Sequence, residues 1–200
     1  MVQSLNHLKE SASQTGGPYV HIGCTPNFAG LSGVYDADLG AAMVTPKTKG
    51  DRITVRGAVI DGTGTPLKDA LIEIWQADHK GLYPGHSDAD PAFTGFGRSA
   101  GDMATGEFVF ETIKPGQVPF RDGTMMAPHI TFWIVARGIN LGLHTRMYFA
   151  DEAKANAVDP ILTRIEHQNR LPTILAQQDG DSYRFDIRLQ GPDETIFFDV

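Results

Sequence analysis

Cysteine is almost missing from the 200-residue sequence, since Cys24 is the single one, and a disulfide bond within the chain is therefore excluded. We expect the Cys24 thiol to be buried and inert. No apolar run approaches the roughly 20 residues that span a bilayer, and the longest covers residues 130–136. The first residues lack both the basic and the apolar segment of a secretion signal, which predicts a cytoplasmic protein with no membrane partner.

Positive charge is in short supply as well. Lysine and arginine total 17 against 24 aspartates and glutamates, which gives a formal net charge of −7. This balance argues against a nucleic acid as partner, although one well-placed arginine can still attract a small anion. No zinc, phosphate-loop or dinucleotide motif is present, and the Gly-x-Ser-x-Gly turn of many serine hydrolases is missing.

What the sequence does contain is a series of short segments with strand character, separated by turns. We predict strands at residues 53–59, 70–76, 106–113, 129–136, 147–149, 183–189 and 195–200, and loops at 23–50 and 77–100. The first two strands are joined by the turn sequence DGTGTP (61–66), so we expect them to form a hairpin. The run 129–136 is apolar at nearly every position, which predicts a strand covered on both faces.

A helical pattern replaces this alternation between residues 151 and 178. Ile161, Leu162 and Ile165 have the spacing of one helix face, while Pro160 and Pro172 keep the helices short. We predict a mainly β fold, a β-sandwich of mixed and antiparallel strands with long loops, an N-terminal arm and short helices near 151–178. Residues 1–22 are interpreted as the arm and residues 23–200 as the sandwich domain.

His129 and Thr131 are two residues apart on a predicted strand, so both side chains point to the same face. A His-x-His pair in this geometry could hold one metal ion, but a threonine hydroxyl is a poor ligand, and a structural role is favoured for His129. Tyr83 offers either a phenolate, an oxygen ligand suited to Fe(III), or simply a packed loop aromatic. The residue alone does not separate the two.

Arg137 stands where the apolar strand ends, so its guanidinium can reach a pocket while its aliphatic stem stays packed. The forked N–H groups could bind a carboxylate through two parallel hydrogen bonds. The alternative is an ordinary surface ion pair, which the residue pattern alone favours narrowly.

Several short motifs, in order along the chain, carry a resemblance to a known family. They are SQTGGPY (13–19), EIWQAD (73–78), FGR (96–98), TIKPG (112–116), APHI (127–130), ARGIN (136–140), DIRLQG (186–191) and FFD (197–199). From about residue 13 onward, the sequence resembles the intradiol ring-cleavage dioxygenases, and among them the α chains of the two-chain members. The resemblance implies a β-sandwich that pairs with a β chain of similar fold in a larger (αβ)n assembly.

In this family the catalytic β chain holds a non-haem Fe(III) with two tyrosines and two histidines. The corresponding positions here are Tyr83, Val118, His129 and Thr131, so the resemblance implies that one tyrosine and one histidine are retained and one of each is replaced. Valine has no ligand atom and threonine only a neutral one. We therefore expect no metal on this chain, no catalytic residue in it alone, and Fe(III) on the partner β chain.

The resemblance also assigns residues to a substrate pocket at the α/β interface. Thr15, Gly17, Pro18 and Tyr19 match the segment of the arm that lines this pocket beside the partner chain, and Arg137 matches an arginine that reaches it. The expected substrates are protocatechuate and O2, which the assembled enzyme converts to 3-carboxy-cis,cis-muconate at the iron of the β chain. A cationic side chain would help to orient the anionic substrate, which favours a binding role for Arg137 over a surface ion pair.

Two other functions are compatible with the sequence. One is a self-sufficient metalloenzyme that uses Tyr83, His129 and His144, but nothing in the spacing brings His144 to the face of His129. The other is a non-catalytic sandwich that serves as a binding or assembly module, against which the residues around Gly17 and Arg137 argue.

Overall fold

The computed structural model of the chain describes residues 15–140 and 142–199, and strands dominate it. The helices are short: α1 (Val20–Cys24), α2 (Ala153–Asn156) and 3₁₀ turns at Ala150–Glu152, Leu162–Arg164 and Gln168–Ile174. The strands are β1 (Arg52–Ile60), β2 (Leu71–Trp75), β3 (Phe96–Ala100), β4 (Glu107–Ile113), β5 (Val118–Pro119), β6 (Met125–Met126), β7 (His129–Val135), β8 (Leu143–Phe149), β9 (Leu175–Asp179), β10 (Ser182–Arg184) and β11 (Ile187–Arg188). Within those ranges, no helix combines the length and the apolar character that crossing a bilayer requires.

Among the described residues, nine of the strands form one sheet that is nearly closed. β1 pairs antiparallel with β4 and parallel with β10 and β11, while β2 pairs antiparallel with β3 and β7. β7 also pairs with β8, and β9 joins the two halves because it runs parallel to β8 and antiparallel to β10. β5 and β6 form a separate two-stranded ribbon. The mainly β architecture with mixed strand directions confirms the predicted fold class.

The hydrophobic core lies between two halves of the sheet, one formed by β1, β4, β10 and β11 and the other by β2, β3, β7 and β8. β1 contributes Val55 and Val59, and β7 contributes Ile130, Phe132 and Ile134, all fully buried. Around Phe132 pack the rings of Phe108, Phe110 and Phe185, with centroids 5.1 to 6.3 Å away. Burial of an aliphatic or aromatic side chain of this size stabilises the fold by about 1.5–3 kcal/mol, so this cluster holds the two halves together.

The opposite face of β7 is only partly covered. Thr131 and Trp133 are half-buried there, whereas the alternate residues of the strand point into the core. The predicted strand is confirmed. The prediction that both of its faces are covered holds for His129 and Val135 on the outer face but not for Thr131 and Trp133. The apolar run was misleading because a large side chain also suits a half-buried outer face, where the Trp133 indole lies so close to Gly142 that a Cβ would collide with it.

β1 and β2 do not form the predicted hairpin. The turn between them exists, and Asp61 Oδ1 accepts the backbone N–H groups of Thr63 and Thr65, both at 2.9 Å. However, both edges of β1 are taken, by β4 on one side and by β10 and β11 on the other. β2 therefore crosses to the far half of the sheet, where it pairs with β3 and β7. Local turn chemistry predicts a bend but not which strand edge is free.

Three further segments differ from the prediction. The predicted loop 77–100 ends in strand β3, and the predicted helical region ends early because residues 175–179 form β9. The last predicted strand is reduced to one isolated bridge between Phe198 and His144. The short helices before residue 175 are confirmed. β9 lies between β8 and β10, where hydrogen bonding to distant segments outweighs the local helical pattern.

Most of the predicted N-terminal arm, residues 1–14, lies outside the described residues. Helix α1 spans the boundary between residues 22 and 23, and the division into arm and domain stays a prediction. Cys24 at the end of α1 is a half-buried free thiol, so the expectation of a buried cysteine is wrong. The reason is that α1 lies on the surface and buries only His21.

Candidate functional site

The register of three strands places Trp75, Thr131 and Arg146 in one row on the outer face of the sheet. Thr131 of β7 is paired with Trp75 of β2 on one side and with Arg146 of β8 on the other. Directly paired residues project from the same face, and so do residues two apart along one strand. His129 therefore shares this face with Thr131, as their spacing predicts.

Tyr83 reaches this face from the loop that follows β2. Asp78 shapes the loop, since its Oδ1 accepts two backbone N–H groups within it at 2.8 and 3.1 Å. Gly81 has φ +81°, and a Cβ at this position would collide with the carbonyl oxygen of Gln117. Glycine thus permits the close approach that brings the Val118 segment against the loop of Tyr83.

Tyr83 and Val118 lie together in a small hydrophobic cluster. The Tyr83 ring stacks on Trp75, with centroids 6.0 Å apart and ring planes at 7°. Val118 is buried beside Met126, and Tyr83 packs against the same cluster. Burial raises the pKa of the Tyr83 phenol, and the positive charge of Arg146 offsets the increase only in part. The phenol is therefore protonated at neutral pH.

His129 is 2% exposed, and its ring is held in one tautomer. Nδ1 lies 2.8 Å from the carbonyl oxygen of Ala127, so Nδ1 carries the proton and donates it. Nε2 is consequently an acceptor, and it has no hydrogen-bond partner among the described residues. Burial, reinforced by the charge of Arg146, lowers the pKa of the imidazole to about 4. At neutral pH the ring has the neutral form and the free lone pair that a metal ligand needs.

Arg146 stands among the predicted ligand positions, and sequence reasoning missed it. Its Nη1 lies 3.6 Å from Met126 Sδ, and its charge acts on Tyr83, His129 and the buried Tyr148. Within the described ranges no carboxylate forms an ion pair with it. The alternation of β8 points Arg146 and Tyr148 to one face, but only the register with β7 determines what that face meets.

These residues do not fit a ferric ion. Val118 has no donor atom and Thr131 only a neutral hydroxyl, so two of the four ligand positions lack the anionic or imidazole donors that the metal takes. In the part of the chain that the structure describes, no three His, Cys, Asp or Glu side chains converge as a metal site requires. The guanidinium of Arg146 adds a charge that repels a cation.

His144 lies on the same outer face as His129, contrary to the expectation from sequence spacing. It is paired with Trp133 of β7, whereas His129 is paired with Tyr148 of β8. Four residues of β8 separate these two positions, which is about 13 Å at the rise of ~3.3 Å per residue of a strand. The face was wrongly assigned because spacing within one strand carries no cross-strand register. The separation still keeps His144 away from a metal ion at His129.

The segment 15–19 runs beside the end of β7. Thr15 Oγ1 donates to the carbonyl oxygen of the residue before Arg137 at 3.1 Å and accepts the backbone N–H of Gly17 at 3.3 Å. Pro18 and Tyr19 line a cavity of about 380 Å³ together with Arg137, and the Tyr19 side chain is largely exposed. The structure therefore brings the five predicted pocket residues together, while their role in binding substrate stays a prediction.

Arg137 is both exposed and ion-paired. Its side chain is 61% exposed, and Nε lies 3.2 Å from Asp69 Oδ2. The guanidinium lies between two cavities, the one beside Tyr19 and a larger one of about 700 Å³ whose lining includes Asp61 and Asn140. The surface ion pair that the sequence left open is thus present, and it leaves most of the guanidinium accessible.

The chain is similar to dioxygenases along most of its length. A family model described as a dioxygenase matches residues 24–191. The protocatechuate 3,4-dioxygenase alpha chain of Pseudomonas putida is 45% identical over 196 residues, which cover 96% of this chain and 97% of that one. The protocatechuate 3,4-dioxygenase beta chain of Burkholderia cepacia is 35% identical over 178 residues, which cover 82% of this chain and 75% of that one.

The fold has solved relatives as well. The dioxygenase domain of a dioxygenase–carbohydrate-binding protein fusion from Streptomyces sp. SirexAA-E superimposes with a TM-score of 0.55 and 26% identity, covering 82% of this chain and 96% of that one. These similarities confirm the resemblance that the ordered motifs predicted. The chain belongs to the intradiol ring-cleavage dioxygenase family.

Proposed function

We propose that this chain is the iron-free α subunit of a protocatechuate 3,4-dioxygenase. The observation that carries the proposal is the state of the four ligand positions, where Val118 and Thr131 supply no donor that Fe(III) would take. Similarity to an α chain extends over 96% of this sequence, so these replacements occur within a fold that is otherwise kept. Such a chain contributes to the enzyme through its surface rather than through a metal.

In this proposal the metal belongs to a partner. A β chain is 35% identical over 82% of this chain, which supports a complex built from two similar subunits. The β chain would hold Fe(III), and protocatechuate would react there with O2 to give 3-carboxy-cis,cis-muconate. Assembly of such pairs into an (αβ)n particle in the cytoplasm, with the arm of residues 1–22 against the β chain, is part of the same proposal.

The part played by this chain is to bind and orient the substrate. Protocatechuate carries a carboxylate, and the Arg137 guanidinium can donate two parallel N–H bonds to it. Thr15, Gly17, Pro18 and Tyr19 would form the adjoining wall of the pocket, which their contacts near Arg137 support. Enclosure of the guanidinium between the two chains would strengthen its attraction for the carboxylate, because the effective dielectric constant falls.

Expression of the chain alone and together with a β chain tests the proposal. We expect the isolated chain to carry no stoichiometric iron and to cleave no protocatechuate, whereas the αβ complex should carry iron in proportion to its β chain. Elemental analysis measures the iron, and oxygen uptake measures ring cleavage. Stoichiometric iron on the isolated chain would contradict the proposal and favour a self-sufficient metalloenzyme.

Two controls separate the alternatives. His144→Ala should leave the iron content of the complex unchanged, because His144 lies four strand residues from the position opposite His129. The second control is the iron-loaded β chain assayed in the absence of this chain. It tests whether this chain serves only as an assembly module. If it bound and cleaved protocatechuate as well as the αβ complex does, this chain would have no part in the pocket.

A further inference from the structure

Asp69 and Arg137 meet just beyond the end of the ladder between β2 and β7. Leu71 of β2 is paired with Val135 of β7 in an antiparallel ladder. Asp69 stands two residues before Leu71 and Arg137 two residues after Val135, each in a turn just beyond this end of the ladder. The pairing of β2 with β7 thus brings the two turns side by side, and the ion pair joins them.

The contact uses one edge of the guanidinium only. The nitrogen of Arg137 that lies nearest to Asp69 is Nε, 3.2 Å from Oδ2. Elsewhere in residues 15–140 and 142–199, no other group forms an ion pair or hydrogen bond with the Arg137 side chain. The two terminal nitrogens form the edge that binds a carboxylate in a fork, and they have no partner in the part of the chain that the structure describes.

The contact with Arg137 is the one ion pair that Asp69 forms among the described residues. Its side chain is 14% exposed, and its second oxygen, Oδ1, is enclosed without a hydrogen-bond partner in the described part of the chain. A carboxylate kept from water and from other donors acts mainly on the one cation beside it. The backbone at this point is held too, since Thr15 Oγ1 donates to the carbonyl oxygen of Ala136. Arg137 is therefore held at Nε and next to its backbone, and no described residue pairs with its terminal nitrogens.

We propose that Asp69 is the positioning residue for Arg137 and holds Nε so that the terminal N–H groups are presented to the carboxylate of an aromatic acid at the α/β interface. The inference rests on the proposed function, since it requires that Arg137 bind substrate. It makes Asp69 a determinant of specificity, because an aromatic diol without a carboxylate gains nothing from an oriented guanidinium.

Asp69 also has an effect that opposes substrate binding, namely electrostatic repulsion. A carboxylate near an anionic substrate repels it, and Asp61 in the neighbouring cavity has the same sign, with Lys68 as a further cation beside Arg137. If repulsion prevailed, removal of Asp69 would tighten substrate binding. Orientation prevails in our proposal because an untethered arginine has more rotamer freedom to lose when it binds.

The test compares Asp69→Asn, Arg137→Ala and the double variant in the αβ complex. Oxygen uptake gives kcat and KM for protocatechuate and for catechol, which lacks the carboxylate. We expect Arg137→Ala to raise the KM for protocatechuate at least about thirtyfold. Asp69→Asn should raise it about three- to tenfold with kcat changed by less than about twofold, and it should add nothing in the Arg137→Ala background. The KM for catechol should hardly change in any variant.

The outcomes distinguish this inference from the proposed function. Glu194→Gln, which removes the carboxylate of the Arg170–Glu194 ion pair, is the matched control and should behave as wild type. An unchanged or lowered KM in Asp69→Asn, beside a raised KM in Arg137→Ala, would overturn the positioning role and leave the proposed function intact. An unchanged KM in Arg137→Ala would remove the pocket role on which both depend. Equal increases for both substrates, with a lower thermal midpoint, would mean that Asp69 only supports the fold.

Discussion

The imidazole of His129 has the neutral form and the tautomer of a metal ligand, although the described residues provide no group of metal ligands around it. The carbonyl oxygen of Ala127 fixes the Nδ1–H tautomer, and burial together with the Arg146 charge keeps the ring neutral. The Nε2 lone pair is a buried acceptor to which none of the described residues donates, and an unpaired buried acceptor costs stability. One correctly prepared ligand does not make a site, because Val118 and Thr131 leave the coordination of a ferric ion incomplete.

His129 should make the fold sensitive to acid. Its pKa is lowered from 6.5 to about 4 in the folded chain, so the unfolded chain takes up the proton more readily. This contribution to stability is fully present above pH 6.5 and is lost as the pH falls to about 4. The loss amounts to roughly 3 kcal/mol in the free energy of unfolding. We expect His129→Gln, which cannot titrate, to have a flatter dependence of stability on pH in this window.

Urea unfolding followed by circular dichroism, at several pH values between 6.5 and 4, measures this effect. His167→Gln is the control, because that side chain is exposed and its removal should leave the slope unchanged. Equal slopes for wild type and His129→Gln would mean that His129 is not the group responsible for acid sensitivity.

The loop between β2 and Tyr83 is fixed by side chains of its own motif. Gln76 is fully buried, its Nε2 donates to the carbonyl oxygen of Ile113 at 2.9 Å, and its Oε1 accepts the Thr112 hydroxyl at 2.8 Å. The end of β2 is thereby tied to the end of β4. Asp78 then folds the loop so that Tyr83 returns to the outer face of the sheet. The WQAD sequence (75–78) therefore has a structural role in this chain.

Asp159 fixes the backbone just before β7, the strand that carries His129. One carboxylate oxygen accepts the backbone N–H of Ala127 at 2.7 Å, and the other accepts two N–H groups at the start of the next 3₁₀ turn at 2.7 and 2.8 Å. We expect Asp159→Ala to lower the free energy of unfolding by about 3 kcal/mol, because these donors lose their acceptor. Urea denaturation measures the change, with the exposed Asp193→Ala as control. A cost under about 1 kcal/mol would mean that water replaces the carboxylate.

In the whole molecule, the hydrophobic core and residues 15–19, which carry part of the predicted pocket, are distinct regions. Residues 15–19 contribute no side chain to the main hydrophobic cluster. They are held instead at the surface, by the hydrogen bond of Thr15 to Ala136 and by the close approach of Gly16 to Val135. Stability and substrate binding should therefore depend on different parts of the chain.

Deletion of residues 1–19 tests this separation. It keeps the residues of helix α1 and removes the two hydrogen bonds that Ile22 and Gly23 donate to the carbonyl oxygen of Tyr19. We expect the thermal midpoint of the isolated chain to fall by less than about 4 °C, since that shift corresponds to little more than 1 kcal/mol in a domain of this size. In the αβ complex the KM for protocatechuate should rise at least about tenfold, because the wall beside Arg137 is gone. Scanning calorimetry and oxygen uptake measure the two effects. Wild-type KM in the deletion variant would contradict the pocket assignment.

Much of the fold and half of the site chemistry could be read from the amino acids alone. Period-two alternation and short apolar runs predict strands because they depend only on neighbouring residues. The alternation indicates β1 and β4, the apolar run indicates β7, and all three are found there. The lack of a metal ligand at Val118 and Thr131 is equally local, since no fold can give a valine a donor atom. Ordered motifs were enough to indicate the family.

Pairing between distant segments was decided by the tertiary structure, because it depends on which strand edges are free and in which register they meet. The failed hairpin of β1 and β2, the position of His144 and the Arg146 charge beside His129 all follow from that register. The meeting of Asp69 with Arg137, which are 68 residues apart in the chain, depends on the same pairing, because the ladder of β2 and β7 brings their two turns together. Side chains of distant strands meet only when the sheet has formed. The order of residues along the chain does not specify the register in which those strands pair.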